Sequence, residues 1–484
     1  MFTFRVQVRT FLRFAIAAGF VFLSSGCALT SPNYPSAVVA DSPSSAYVPD
    51  APLSLPAGIS EQGAYPSLNG QVLDLAQCIE IALDRNPETR ASWQASRSAA
   101  AGVGQSKSAY LPSIDFTAGA NRSNPVNLDS RQNTGPANTF DAEFGIRYLL
   151  FNGGARSAGL KKAEAELLNA NFQHNATLQD VALRVEEAYY RLLAARKLER
   201  VAEQTVRQTQ YHVDLARARY KNGLVAKSDV LKAETEKAGA DLELVRVRSQ
   251  VRIARGQLAN AMGLQPSKSF KVAELPRNPH RQELADVKRL MAEAAVNRPE
   301  LRAALAKVES GQAGVRAAKA LYWPEVTLNT DYGWRDRTFI PDRDEWSLGV
   351  GISWPLFDGL NREYSIRRAK SDLAETTAEH DKLLRGVELE VWTTYSQLVE
   401  AGQAIEAARV LVVSADESAR VMEGEYKNGT ASIIEVTDAQ TARTTANVRL
   451  VQARLDWYTA MARLERAIGR TFAQTTPDPA NGEN

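Results

Sequence analysis

Four histidines, two cysteines and one glycine pair are the first residues to test for chemistry, and none forms a reacting set. His174, His212, His280 and His380 are scattered, without the His-x-x-x-His spacing that puts two imidazoles on one metal ion. Gly153-Gly154 follows a strand pattern and opens a helical one, but no Lys-Ser or Lys-Thr completes a phosphate-binding loop. Cys78 lies in the apolar stripe of a short helix and reads as a packing residue rather than a reactive thiol. These residues give no support to an enzyme, a metal centre or a bound cofactor. Lys plus Arg (58) nearly balance Asp plus Glu (56), so no polycationic surface points to nucleic acid. Glu435 and Asp438, taken alone, read as solvated charges on a helix.

The N-terminus carries an address. Arg5, Arg9 and Arg13 precede the apolar run Phe14 to Leu23, the form of a secretory signal over residues 1–26. That run is shorter than the roughly 20 residues a spanning helix needs. Ser24-Ser25-Gly26-Cys27 resembles a bacterial lipobox, with Ser24 in the usual leucine place, and marks Cys27 for lipidation. Residues 27–72 are rich in Pro, Ser, Ala and Gly without periodicity and read as a flexible arm; residues 472–484 read as a disordered tail. After residue 26 no apolar stretch is long enough for a membrane helix, so a membrane crossing would have to use strands.

The rest of the chain is written twice. Tyr220-Lys221-Asn222-Gly223 recurs as Tyr426-Lys427-Asn428-Gly429, a shift of 206 that also carries Phe151 onto Phe357 and Gly263 onto Gly469. Nearer the N-terminus the shift is 212: Pro87-Glu88 maps to Pro299-Glu300, and Leu111-Pro112 to Trp323-Pro324. The second copy therefore has a loop six residues shorter, opposite residues 120–140 of the first. Solenoid periods run to about 20–50 residues, so a repeat this long is a duplicated unit. The copies span 73–271 and 285–471, joined by a linker over 272–284.

Each copy mixes two periods. No proline occurs between Pro136 and Pro266 or between Pro355 and Pro477, which permits very long helices. Leu178, Val181, Val185, Ala188, Leu192 and Ala195 step by three and four, and Leu384 to Ala401 repeat the pattern. A helix from Gly154 to Tyr220 would run roughly 100 Å at 1.5 Å per residue. Before each long helix the period is two: Phe140, Ala142, Phe144, Ile146 and Tyr148 in one copy, Trp346, Leu348, Val350, Ile352 and Trp354 in the other. With Ile114 to Ala120 and Val326 to Trp334 these predict hairpins over 113–150 and 325–356. Each strand has the length of a transmembrane strand, about ten residues, with Tyr148, Tyr332, Trp334, Trp346 and Trp354 toward strand ends. Lipid tolerates no open sheet edge, and the smallest single-chain barrels have about eight strands. Several copies must therefore share a barrel: two would give eight strands and three would give twelve.

These features together resemble the TolC family of outer-membrane efflux and secretion channels across residues 73–471. The resemblance rests on the duplication, on Leu75 to Leu83 before Asn86-Pro87-Glu88, on Tyr110-Leu111-Pro112 and Trp354-Pro355-Leu356-Phe357-Asp358-Gly359, and most on Tyr220 to Leu231 with its copy from Tyr426 to Val436. It implies an α+β membrane protein. Four strands per subunit enter a shared, homotrimeric twelve-stranded β-barrel above a coiled-coil α-helical barrel that crosses the periplasm. It implies a passive exit duct for a tripartite efflux pump or type I secretion system. A periplasmic adaptor protein and an inner-membrane transporter of RND, ABC or MFS type would be its partners, with outer-membrane lipid around the barrel. The alternative is a periplasmic coiled-coil adaptor or scaffold without a pore; the paired membrane-type hairpins argue against it.

By the same resemblance Gly223, Asp229 and Gly429 belong to helix-turn tips that form the gate and the adaptor-docking end. Tyr426, Glu435 and Asp438 occupy the places of a gating tyrosine and an acidic ring. Asp229 matches a first-copy aspartate that pairs with a second-copy arginine to hold the gate shut. Ala431 stands where that arginine would be, so closure here calls for another contact, with Tyr426 hydrogen bonds the first candidate. Ala28 after Cys27 favours delivery to the outer membrane.

Overall fold

The computed structural model describes residues 42–45, 72–124, 136–267, 270–274 and 286–470. The signal segment, Cys27, most of the arm, the greater part of the linker and the tail lie outside them.

Each copy begins with two short helices, α1 (Leu75–Arg85) and α2 (Pro87–Ser108) in the first, α5 (Val287–Asn297) and α6 (Pro299–Ala320) in the second. Asp74 and Gln77 form a capping box at α1, and Pro87 and Pro299 open α2 and α6 at a position where no amide hydrogen is required. Two hairpins follow: β2 (Ser113–Ser123) with β3 (Ala137–Phe151), and β5 (Glu325–Asp336) with β6 (Asp344–Ser353). The long helices α3 (Ala155–Lys221) and α7 (Asn361–Asn428) hold 67 and 68 residues and turn back into α4 (Lys227–Ala261) and α8 (Ile433–Ala467). The absence of proline leaves these helices unbroken, as the sequence predicts.

The predicted heptad stripe is the core. Val181, Val185, Ala188, Leu192 and Ala195 are buried against α1 and α4, Leu178 is buried beside them on the same helix, and Val387, Val391, Leu398 and Ala401 are buried in the second copy. A parallel ladder between β1 (Val72–Leu73) and β4 (Lys271–Val272) ties the start of the first copy to its end. Neither strand has a periodic signal in the sequence, because two residues cannot show a period.

The copies meet along α3. Its seam with α8 is mainly polar: Asp180 with Arg466, Glu187 with Arg463, Thr205 with Thr444 and Gln208 with Gln440. Tyr190 stacks on Tyr458 at 5.1 Å in the same seam. Each copy thus has its own greasy core, while the joint between them adds polar contacts along most of its length and an apolar one at the tip, where Leu215 packs on Ile433 and Val436.

Candidate gate and membrane wall

The two hairpins join into one antiparallel sheet in the order β2-β3-β5-β6. Its register lines up the alternating residues across all four strands. Phe116, Phe144, Tyr332 and Trp346 form one row, and Ile114, Ile146, Thr330 and Leu348 the next. The opposite face carries Asp115, Gly145, Asp331 and Ser347, then Thr117, Glu143, Gly333 and Glu345. Phe116, Trp346, Leu348, Val350 and Ile352 are all exposed in the single chain, Trp346 to 71%. An apolar face of this extent on a soluble surface would be an aggregation site; on a barrel it meets lipid. Tyr332, Trp334 and Trp346 cluster at the loop end, and Tyr148 and Trp354 lie at the helix end, the two levels at which interfacial aromatics sit. Among the described residues no helix is long and apolar enough to cross a membrane.

At the far end of the long helices both chain reversals use the same motif. Leu224 N–H reaches Arg219 O at 2.9 Å and Gly223 N–H reaches Tyr220 O at 2.9 Å; Thr430 and Gly429 repeat this on Glu425 and Tyr426 at 3.0 and 3.1 Å. Crossed bonds of this kind need a left-handed residue after the helix, and Gly223 and Gly429 take φ of 69° and 86°. The sequence-predicted tips are therefore real helix ends.

The other predicted residues divide. Tyr426 is 1% exposed and packs with Ile433, Val436, Leu215 and Ala431. Burial pushes its phenol up; the Arg219 guanidinium opposes that and the Asp229 carboxylate adds to it, so the structure does bring Asp229 and Tyr426 into one electrostatic neighbourhood. The phenol O–H has no hydrogen-bond partner among the described residues. What is bonded is the Tyr426 carbonyl, which accepts from Arg219 Nη1, while the same guanidinium lies over the ring at 4.7 Å from its centroid. The expected phenol bonds are absent from the single chain, and an arginine from the first copy makes the tie instead.

Glu435 is exposed and caps α8. Its Oε2 accepts from Ser432 N–H at 2.7 Å, and Ser432 Oγ accepts from Glu435 N–H at 3.3 Å. Those donations hold the Glu435 carboxyl below its usual range, so it is anionic at neutral pH. Asp438 lies on the next turn of α8, also exposed. Both acids share one helix with Tyr426 just before it. Cys27 lies outside the described residues. Sequence reasoning missed Arg219. The signal for it was a departure from the repeat, since position 219 maps onto Glu425.

A sheet with one wet and one greasy face, set on helical hairpins that end in a polar turn, defines a subunit of an outer-membrane channel-tunnel. The chain belongs to the outer membrane efflux protein family, whose sequence profile matches residues 78–264 and 290–470. It is similar to the protein CyaE of Bordetella pertussis, with 27% identity covering 78% of this chain and 80% of that one. It is also similar to the outer membrane protein TolC of Vibrio cholerae, with 26% identity over 84% and 92% of the two chains. The fold matches the solved outer-membrane channel OprN with a TM-score of 0.74 at 20% identity, covering 82% of this chain and 90% of that one. The protein is accordingly an exit duct of the outer membrane, extending into the periplasm, and not a pore-less adaptor.

Proposed function

We propose that three copies of this chain close one barrel, and that the helical tips form its periplasmic gate. The observation that carries the reading is the sheet's pair of open edges. Among the described residues β2 and β6 each pair on one side only, and backbone groups left open in lipid cost several kcal/mol each. A neighbour's β2 laid on β6 satisfies both edges at once, and three such joints give the twelve strands implied by the family resemblance.

Below the barrel the hairpins form the wall of a tunnel. The turn packed on the buried Tyr426 narrows its end, and Glu435 and Asp438 from each chain set a ring of carboxylates that favours cations. The tips around Gly223, Asp229 and Gly429 are the docking end for a periplasmic adaptor, which couples the duct to an inner-membrane transporter of RND, ABC or MFS type. Energy comes from that transporter. Cys27, once acylated, anchors the arm in the membrane.

The test is direct. Mature protein should fractionate with the outer membrane, run as a heat-modifiable trimer and open ion-conducting pores in planar bilayers. A monomer that stays in solution without detergent would refute the reading.

A further inference from the structure

The contact between Arg219 and the second tip differs from most of the seam. Higher up, α3 meets α8 mainly through side chains on both partners, and Gln179, which reaches the Gly469 carbonyl at 3.4 Å, brings no charge to it. At the tip Arg219 instead grips the backbone end of α7, donating from Nη1 to the Tyr426 carbonyl with its guanidinium face on the Tyr426 ring at 4.7 Å. That carbonyl is among the last four of α7, which have no acceptor role inside the helix, and a cation there also meets the negative end of the helix dipole. Gly429, required by its φ of 86°, brings the turn against the arginine: a Cβ there would lie 3.4 Å from Arg219 Nη2, in ordinary contact. The tie crosses between copies: Arg219 closes the first hairpin's long helix and Tyr426 closes the second's.

We propose that Arg219 is the closing latch of this tip, a positioning residue that holds the Tyr426 turn inward from the first copy. It does the work of an arginine at position 431, where this chain has alanine. The proposal rests on the gated-channel reading above. Ala431 is packed in the apolar cluster with Tyr426, Ile433 and Val436, so the second copy supplies no cation of its own at that point. Lys427, the nearest cation in sequence, is held by Glu423 at 2.8 Å and lies 5.3 Å from the Tyr211 ring. Arg219 is therefore the cation in contact with the Tyr426 carbonyl among the described residues.

The experiment uses the full-length trimer. Arg219→Ala removes the latch; losing one hydrogen bond to a charged group shifts the closed–open balance roughly tenfold per chain. Single-channel conductance should rise, with the trimer unchanged on heat-modifiability gels. Arg219→Lys, which keeps charge but loses the planar stack, should fall between. Adding Ala431→Arg to Arg219→Ala should lower conductance again, because it returns a cation to the turn whose Tyr426 already feels the Asp229 carboxylate. A spin label at Asn428→Cys reads the geometry independently, since Cys78 is buried; distances between labels across the trimer should lengthen in Arg219→Ala. Wild-type conductance and unchanged label distances in an intact Arg219→Ala trimer would overturn the latch. Absence of any label–label distance in wild type would overturn the trimer reading first, and the latch with it.

Discussion

The two copies make the same joints with different chemistry, and in one place with a different partner. At the start of α2, Asn86 Nδ2 donates to the Ala261 carbonyl at 3.2 Å; at the start of α6, Arg298 Nη1 donates to the Ala467 carbonyl at 3.2 Å. Both donors and both acceptors are repeat equivalents. In the first copy the charge sits one step out, as Glu88 with Arg184; in the second the arginine is at the cap and Glu390 fills the counterpart of Arg184, 2.9 Å from Arg298. The tie is conserved within the molecule while its polarity is reversed. At the junction of sheet and long helix the difference is of partner. A Cβ on Gly153 would fall 2.4 Å from Trp323 Cβ and 2.8 Å from the Ala320 carbonyl, both in the second copy, whereas Gly359 has open space around it. The repeat shift maps Trp323 onto Leu111, so in the proposed trimer the expected partner of Gly359 is Leu111 of a neighbouring chain. What the first copy satisfies inside the chain, the second leaves open for the proposed neighbour.

Breaking that comparison at the glycines should give the largest effect. Gly153→Ala must force a left-handed alanine and displace Trp323, together about 3 kcal/mol, and should prevent stable assembly. Gly359→Ala should cost only about 1 kcal/mol in an isolated chain, from its φ of 68°, but should cost the trimer as much as Gly153→Ala does. Trimer dissociation temperatures on semi-native gels separate the two cases; an unaltered Gly359→Ala trimer would mean the junction is not repeated between chains. The β3–β5 register sharpens the point. Asp141 faces Arg335, so the repeat shifts set Ser347 opposite a neighbour's Ser123. Oxidation of Ser123→Cys/Ser347→Cys should join chains, and Ser123→Cys/Val350→Cys should not.

Next in size is the charged end of the seam between copies. Arg466 is 7% exposed and binds both Asp180 of α3 and Glu300 of α6. Burial pushes the Glu300 carboxyl up, but the hydrogen bond and charge of Arg466 outweigh it and hold it below its usual range. Arg466→Ala leaves Glu300 without that partner and should cost about 3–5 kcal/mol at pH 7 in detergent unfolding. Because the Glu300 value is depressed, its stabilisation is present above the unfolded carboxylate range and is lost as pH falls through the folded value. The deficit of Arg466→Ala should accordingly shrink in acid; a deficit that stays constant would assign it to packing alone.

A smaller effect of opposite sign lies further along the same seam, toward the tips. Glu186 is 7% exposed, and burial, reinforced by the charges of Glu465 and Glu187, raises its carboxyl to about 8; burial raises Glu465 to about 7. A carboxyl with a raised value keeps its proton in the folded chain, so its contribution is full below the unfolded range and declines as pH rises toward the folded value. Glu186→Gln should therefore stabilise by about 2 kcal/mol near pH 9 and be neutral near pH 5. Equal unfolding midpoints for mutant and wild type at both pH values would show the site to be wetter than its packing indicates.

Much of this architecture was legible in the residues. The 206 and 212 shifts, the long spans without proline and the two-residue alternation set the copies, the long helices and a sheet with two unlike faces. Each is a repeated local signal, and repetition is what a single sequence displays well. The seam was not legible. Arg219 and Tyr426 meet across 207 positions, and neither residue type nor spacing marks the pair. His174 looked like one more scattered histidine, yet it is fully buried, with Nε2 2.7 Å from the Ser45 carbonyl and Nδ1 2.8 Å from Ser92 Oγ. Its repeat equivalent His380 is instead half-buried, 3.4 Å from the exposed Asp381 carboxylate. Contacts made once, at long range, by common residues leave no periodic trace.

The weakest perturbation is at the acidic ring, where Glu435 already has a local job. Its carboxylate caps α8 through Ser432, so a charge effect on ions must be separated from a loosened helix start. Glu435→Gln keeps an acceptor for the Ser432 amide and removes only the charge; Asp438→Asn does the same one turn on. The pair together should reduce cation selectivity, moving the reversal potential in a salt gradient toward zero with conductance nearly unchanged. Glu435→Ala, which also loses the cap, should in addition raise gating noise. If the amide pair leaves the reversal potential where it was, Glu435 is a helix cap facing solvent, and the selectivity of the duct must come from the acidic wet face of the sheet, from Asp141, Glu143, Asp331 and Glu345.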